Sequence, residues 1–260
     1  MEEIILKIFI FVFGATIGSF LNVCIYRMPR KESIVKPPSH CPGCQHRINW
    51  YDNIPFLSFV FLRGRCRHCG QRISWRYFIV ELISASIFLS LYLYFGISLR
   101  FWIFAAVSSS LIVASFIDIA IREIPDEISL WGIVIGLIVS VIFPQLHSSA
   151  SRLTSLGLSF LGLLAGGGSI YITGIIGDAI FKKESMGGGD VKLMAMLGTF
   201  IGWKLVLLTF FLAPFFGAIF GIILKIKKGE SFIPYGPFLS LAALISVFWG
   251  EKIIKWLFLI

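Results

Sequence analysis

The sequence predicts an all-α polytopic membrane protein with about eight transmembrane segments and one small cytoplasmic zinc-binding loop domain. Composition is the first reason: 57% of the 260 residues are hydrophobic and only 14% charged, with a mean hydropathy of +0.88. An average globular domain is about 25% charged. The second reason is the recurrence of apolar runs of about 20 residues, the length needed to cross a hydrocarbon core. The third is a single break in that pattern, residues 28–77, which is rich in Pro, Arg and polar residues and carries four of the five cysteines. The chain thus divides into a first span (1–27), a soluble module (28–77) and a polytopic remainder (78–260).

In a soluble protein a net charge of +9 would point to nucleic acid. No nucleic-acid recognition motif accompanies it, and no such partner is expected. The charge follows the positive-inside rule instead, because ten of the 23 Lys and Arg fall between Arg27 and Arg76. That places the module in the cytoplasm and the N-terminus outside, with the lipid bilayer, anionic lipids included, as the surrounding partner.

Residues 4–26 form the first span. Glu2 and Glu3 precede it where a signal peptide would be basic, so an uncleaved span is expected. Gly14 and Gly18 make a small-xxx-small face for close helix packing, while Asn22 needs a polar partner. Cys24 reads as a small apolar residue. In the module, Cys41-Pro-Gly-Cys44 and Cys66-Arg-His-Cys69 are two C-x-x-C knuckles with 21 residues between them. Each knuckle can turn two thiolates toward one tetrahedral Zn²⁺. Disulfides are the alternative, disfavoured in a reducing cytoplasmic loop. Four thiolates close the coordination shell, so the metal reads as structural, with His40, His46 and His68 at the surface.

Residues 78–97 form the second span, with Glu81 near its cytoplasmic end, either paired with Arg76 or Arg72 or free for a cofactor or substrate. The third span starts at Phe101. About 16 residues from Trp102 to Asp118 cover about 24 Å of a core about 30 Å thick, which places Asp118 near the cytoplasmic interface. Pro125 and Asp126 open a fourth span that runs to Pro144, with Asp126 as its cap. The fifth, within 153–180, holds Gly162, Gly166, Gly167, Gly168, Gly174 and Gly177, which permit close helix approach. Asp178, Lys182, Lys183 and Glu184 mark the next inner loop. Residues 191–224 would be about 51 Å long as one helix, too long for one crossing. Lysines on both sides of this stretch demand an even number of crossings, so a break is expected near Gly202-Trp203-Lys204. A Pro/Gly entry turn at 231–238, Ser-Phe-Ile-Pro-Tyr-Gly-Pro-Phe, then opens the last span. Lys252 and Lys255 make the C-terminal end an outer or interfacial tail.

Ionisable residues at membrane segments are costly and mark function. Asp118 ends an inward-running span, and Asp190, within Ser-Met-Gly-Gly-Gly-Asp-Val-Lys-Leu (185–193), begins an outward-running one. Both therefore fall near the cytoplasmic leaflet. Like charges close together do not both ionise easily, so the two would share one proton, one acting as base and the other as acid toward a water. The glycines at 187–189 let backbone approach closely. Asp178 is the rival carboxylate and reads as interfacial. Lys192 faces the interface, with substrate contact or support of an ionised Asp190 as alternatives.

Several stretches together resemble the type IV prepilin peptidase family of GxGD-type membrane aspartyl proteases over nearly the whole chain. They are Gly187-Gly188-Gly189-Asp190 with Val191-Lys192-Leu193, Asp118 ahead of Pro125-Asp126, the run from Gly18 to Pro29, Asn49 to Pro55, and Gly64-Arg65-Cys66. The resemblance implies that Asp118 and Asp190 are catalytic and that the substrates are type IV prepilins or pseudopilins. These would be cleaved after a glycine that ends a short basic leader, and the new N-terminus would then be methylated with S-adenosylmethionine. It also implies a multi-pass protein of the bacterial cytoplasmic (inner) membrane, with structural zinc on Cys41, Cys44, Cys66 and Cys69. Glu81 aligns with an acidic position common in that family. Two other classes make different demands. A proton-coupled transporter would place carboxylates near the midplane in related repeats, and no convincing repeat is present. A zinc-loop adaptor would keep its function after Asp118→Ala or Asp190→Ala.

Overall fold

The computed structural model describes residues 1–182, 186–228 and 234–258. Lys183 and Glu184 of the expected inner loop, and residues 231–233 of the entry turn, lie outside these. Among the described residues there is no strand, only two isolated bridges, and the architecture is all-α. The chain forms two compact units, Met1–Val113 and Ala114–Ile260, with the boundary inside one helix.

The first unit contains α1 (Glu2–Arg27), the short α2 (Leu57–Phe61), α3 (Trp75–Phe95) and the first part of α4 (Leu99–Ile121). The expected small face of α1 is where it meets α3: a Cβ on Gly18 would lie 2.7 Å from the Glu81 Cα. Backbone contact this close is open only to glycine. Asn22, 1% exposed, finds its partner there by donating Nδ2–H to the Tyr77 carbonyl at 3.1 Å. Ser74 caps α3 by accepting the Arg76 N–H, so this helix starts a little before the expected span. At the end of α1, the buried Arg27 donates to the Ser33 and Pro37 carbonyls at 2.8 Å each and clasps the linker into the module.

The second unit contains the end of α4, then α5 (Asp126–Ile142), α6 (Arg152–Phe181), α7 (Gly188–Lys228) and α8 (Gly236–Phe258). The 41-residue α7 breaks at Gly202, with φ 75 and ψ 171, at the position the sequence predicts. That backbone region is essentially reserved for glycine. Beside the break, the Thr199 carbonyl takes partners from outside α7. Ser159 Oγ donates to this carbonyl at 2.9 Å, and His147 Nε2 lies 3.1 Å from it. Upstream of the break, Gly162 of α6 and Gly198 of α7 bring the two backbones into direct contact.

Among the described residues six helices, α1, α3, α4, α6, α7 and α8, are long and apolar enough to cross a membrane, and the protein is a multi-pass membrane protein. The expectation of about eight segments also counts α5, which is 17 residues long, and both halves of α7.

Candidate active site and metal centre

In the first unit the four module cysteines converge. Cys41 Sγ is 3.8 Å from Cys69 Sγ, Cys44 Sγ is 4.0 Å from Cys66 Sγ, and all four sulfurs lie within 4.8 Å of one another. A tetrahedron with Zn–S bonds of about 2.3 Å sets its sulfurs about 3.8 Å apart. The donor set fits such an ion, and none of the four is in a disulfide. The knuckles share one backbone plan. Cys41 N–H donates to the His46 carbonyl at 2.9 Å and Cys66 N–H to the Gln71 carbonyl at 2.8 Å, while Gln45 (φ 57) and Gly70 (φ 71) turn the chain in left-handed conformations. The Cys69 and His68 amides aimed at the Cys66 sulfur bring its thiol down to about 7. At Cys69 the Gln71 amide pulls the same way, but burial and the neighbouring sulfurs together push the thiol up to about 11, so the cluster shares its protons unevenly. His46 and His68 are exposed and stand over one another, with ring centroids 3.5 Å apart. Arg67 grips both oxygens of Asp52 at 2.6 to 3.0 Å, and this hydrogen-bonded guanidinium holds the carboxyl below its usual range.

Glu81 departs from the expected ion pair. It pairs with neither Arg76 nor Arg72. It is 7% exposed, and its Oε2 accepts the Phe56 N–H at 2.9 Å. Phe56 has φ 60 and ψ −52, and Leu57 N–H donates to the Pro55 carbonyl at 2.6 Å across it. That is a strained γ-turn, rare for a non-glycine residue, and the buried carboxylate secures its central amide.

The second unit assembles the two aspartates from three helix ends. Asp118, on the last turn of α4, is 6% exposed, and its Oδ2 accepts the Gly236 N–H at 2.8 Å from the first residue of α8. Asp190, in the first turn of α7, is half-buried and takes the Gly187 amide as its hydrogen-bond partner. The two carboxylates lie within electrostatic range of each other. Each carboxylate thus meets a glycine main chain and keeps further acceptor sites for a shared proton and a water. Ile124, from the loop after α4, fills the space between: a Cβ on Gly189 would lie 3.0 Å from the Ile124 Cβ, and one on Gly236 would lie 3.4 Å from its Cδ1. Tyr235 adjoins this group, and burial, then the Asp190 charge, pushes its phenol up to about 12, so it remains an O–H donor.

Two polar residues near the pair behave differently from expectation. Asp126 does not cap α5: Pro125 occupies the cap position, and no side-chain cap hydrogen bond forms. A carboxylate one residue inside the helix is free to turn outward, and Asp126 accepts from Lys192 Nζ at 2.6 Å. This assigns Lys192 a protein partner. Asp178, the rival carboxylate, is exposed near the end of α6. Sequence reasoning did not single out the Gly236 amide, because a main-chain donor leaves no signature in residue type. His147 was also missed, although its position opposite the expected break was the available signal.

Two family models match the chain. Residues 12–95 match the Bacterial Peptidase A24 N-terminal domain, which takes in the four cysteines, and residues 105–222 match the Type IV leader peptidase family, which takes in both aspartates. Among curated proteins, the chain is similar to the Prepilin leader peptidase/N-methyltransferase of Myxococcus xanthus, with 37% identity over 86% of this chain and 64% of that protein. Proteins of the same name from Pseudomonas putida (33% identity, 93% of this chain, 90% of that one) and Aeromonas salmonicida (32%, 95% and 92%) are also similar. The chain thus spans just under two thirds of the Myxococcus relative and nine tenths or more of the other two. No solved structure gives a significant match.

Proposed function

We propose that this chain, which belongs to the type IV prepilin leader peptidase/N-methyltransferase family, cleaves prepilin or pseudopilin leaders with Asp118 and Asp190 and then methylates the new N-terminus. One carboxylate accepts a proton from a water whose oxygen bonds to the scissile carbonyl carbon. The other, protonated, hydrogen-bonds the carbonyl oxygen and passes its proton to the amide nitrogen as the C–N bond breaks. The observation that carries this reading is the pair itself: two carboxylates from separate helices, in electrostatic range, each steadied by a glycine amide. Orientation of this kind, fixed before substrate arrives, is the main resource of a site that relies on proton transfer.

The family supplies the second activity, in which a methyl group passes from the sulfonium of S-adenosylmethionine to the exposed amine with loss of a proton. Cys41, Cys44, Cys66 and Cys69 hold zinc as a structural ion, since four thiolates leave no open position. The chain resides in the bacterial inner membrane with its N-terminus outside and the aspartates near the cytoplasmic face, and it crosses about eight times. The basic segment between Arg27 and Arg76 supports that orientation.

The test is cleavage of a purified prepilin in detergent or lipid by wild type, Asp118→Asn and Asp190→Asn, with mass analysis of the product. Each folded variant is expected to lose cleavage nearly completely. With wild type, S-adenosylmethionine should add one methyl to the new N-terminus. Undiminished cleavage by both variants would remove the dyad.

A further inference from the structure

Resting on the dyad reading above, we propose that Gly236 is a positioning residue for proteolysis, its main-chain amide holding Asp118 in register. The peptide N–H donates to Asp118 Oδ2 at 2.8 Å in a buried setting. Only glycine leaves room for this contact, because a Cβ at 236 would lie 2.8 Å from that same oxygen and 3.4 Å from the Asp118 Cγ. A second bond fixes the geometry. Ser240, one turn along α8, donates to the Gly236 carbonyl at 2.9 Å, and its hydroxyl also meets Ser115 Oγ at 2.9 Å. Ser115 lies one turn before Asp118 on α4. The start of α8 is therefore joined to the end of α4 at two points, one of them the carboxylate.

The consequence is chemical as well as mechanical. An oxygen that accepts a peptide N–H has one of its two lone pairs engaged and its direction fixed, which favours the other oxygens for the proton of the pair and the attacking water. Removing the amide contact would let the carboxylate rotate and lose that division. The hydrogen bond cannot be replaced by any side chain at 236, because the donor is the backbone itself. Tyr235 and Pro237 flank it, so the entry turn of the last helix carries the proton arrangement of the site along with its role in starting α8.

Gly236→Ala, Ser240→Ala and Gly157→Ala are compared with wild type and with Asp118→Asn, measuring kcat and KM for prepilin cleavage across pH. A Cβ at Gly157 would enter open space, so that variant is the packing control. Gly236→Ala is expected to lower kcat about 10- to 100-fold, the size of losing a hydrogen bond to a charged group. Its KM should stay within about twofold, because ground-state binding is untouched, and its pH profile should be displaced. Ser240→Ala should displace the profile in the same direction by less, and Gly157→Ala should match wild type. A Gly236→Ala enzyme with the wild-type kcat and pH profile overturns the proposal, as does a loss confined to KM. If Gly236→Ala does not fold, Ser240→Ala decides: a displaced profile supports the positioning role and an unchanged one overturns it. Full activity in Asp118→Asn would instead overturn the dyad reading itself.

Discussion

At Asp118 and Asp190 the side chains are legible in the sequence while their holders are not. A lone carboxylate at the end of an apolar run stands out, whereas the peptide amides of Gly236 and Gly187 that steady them are donors that every residue except proline carries. The same limit explains Glu81. Its sequence neighbours Arg72 and Arg76 offered charge partners, but the fold presents it with the amide of a strained turn at Phe56. Asp126 and Lys192 show the converse, a pair that spacing could not join because 66 positions separate them. Both partners of that ion pair are exposed, Lys192 at 39% and Asp126 at 55%. Exposed pairs contribute about 0.2–1 kcal/mol. Lys192→Met and Asp126→Asn are therefore expected to keep prepilin cleavage within about fivefold of wild type, a result that an assay at saturating substrate would check. A loss comparable to that of Asp190→Asn would mean that Lys192 acts on the reaction directly.

Among the elements, α7 was the most informative in advance. Its length and flanking lysines demanded an interruption, and Gly202 was the one residue nearby able to take φ 75. What pattern could not supply were the outside partners of the Thr199 carbonyl beside it, which Ser159 and His147 provide from α6 and from the Pro144–His147 turn. Burial lowers the His147 ring below its ordinary value, outweighing the Thr199 carbonyl that favours the proton. The sign follows: folding favours neutral His147, so its contribution is fully present above about pH 6.5, the unfolded value, and is lost as pH falls through the lower folded one. Thermal melts in detergent should show a midpoint that drops between about pH 7 and pH 5. In His147→Gln, which keeps a donor but cannot titrate, this part of the drop should vanish. An identical pH dependence in the variant would place the titrating group elsewhere.

On the scale of the molecule, the two chemistries reside in different units, thiolates in Met1–Val113 and paired carboxylates in Ala114–Ile260. The cysteine spacing places the thiolates within residues 28–77 in advance, whereas the apolar pattern keeps 78–260 together and marks no boundary inside α4. Every amide that holds an aspartate belongs to the second unit. Stripping the metal with a chelator is expected to open residues 28–77 to proteolysis at its arginines while cleavage by the dyad stays within about threefold, as for independent sites. Metal content, a protease digest and a prepilin assay on the same sample would check it, and an equally resistant metal-free module would argue against a structural ion. The break in α7 also bears on the lipid. About 12 residues separate Asp190 from Gly202, a rise of about 18 Å, well short of a hydrocarbon layer about 30 Å deep. Residues 193–202 are nevertheless buried throughout, so this short half-helix meets protein and not acyl chains, and an interruption at membrane depth is tolerated because its carbonyl finds donors inside the fold.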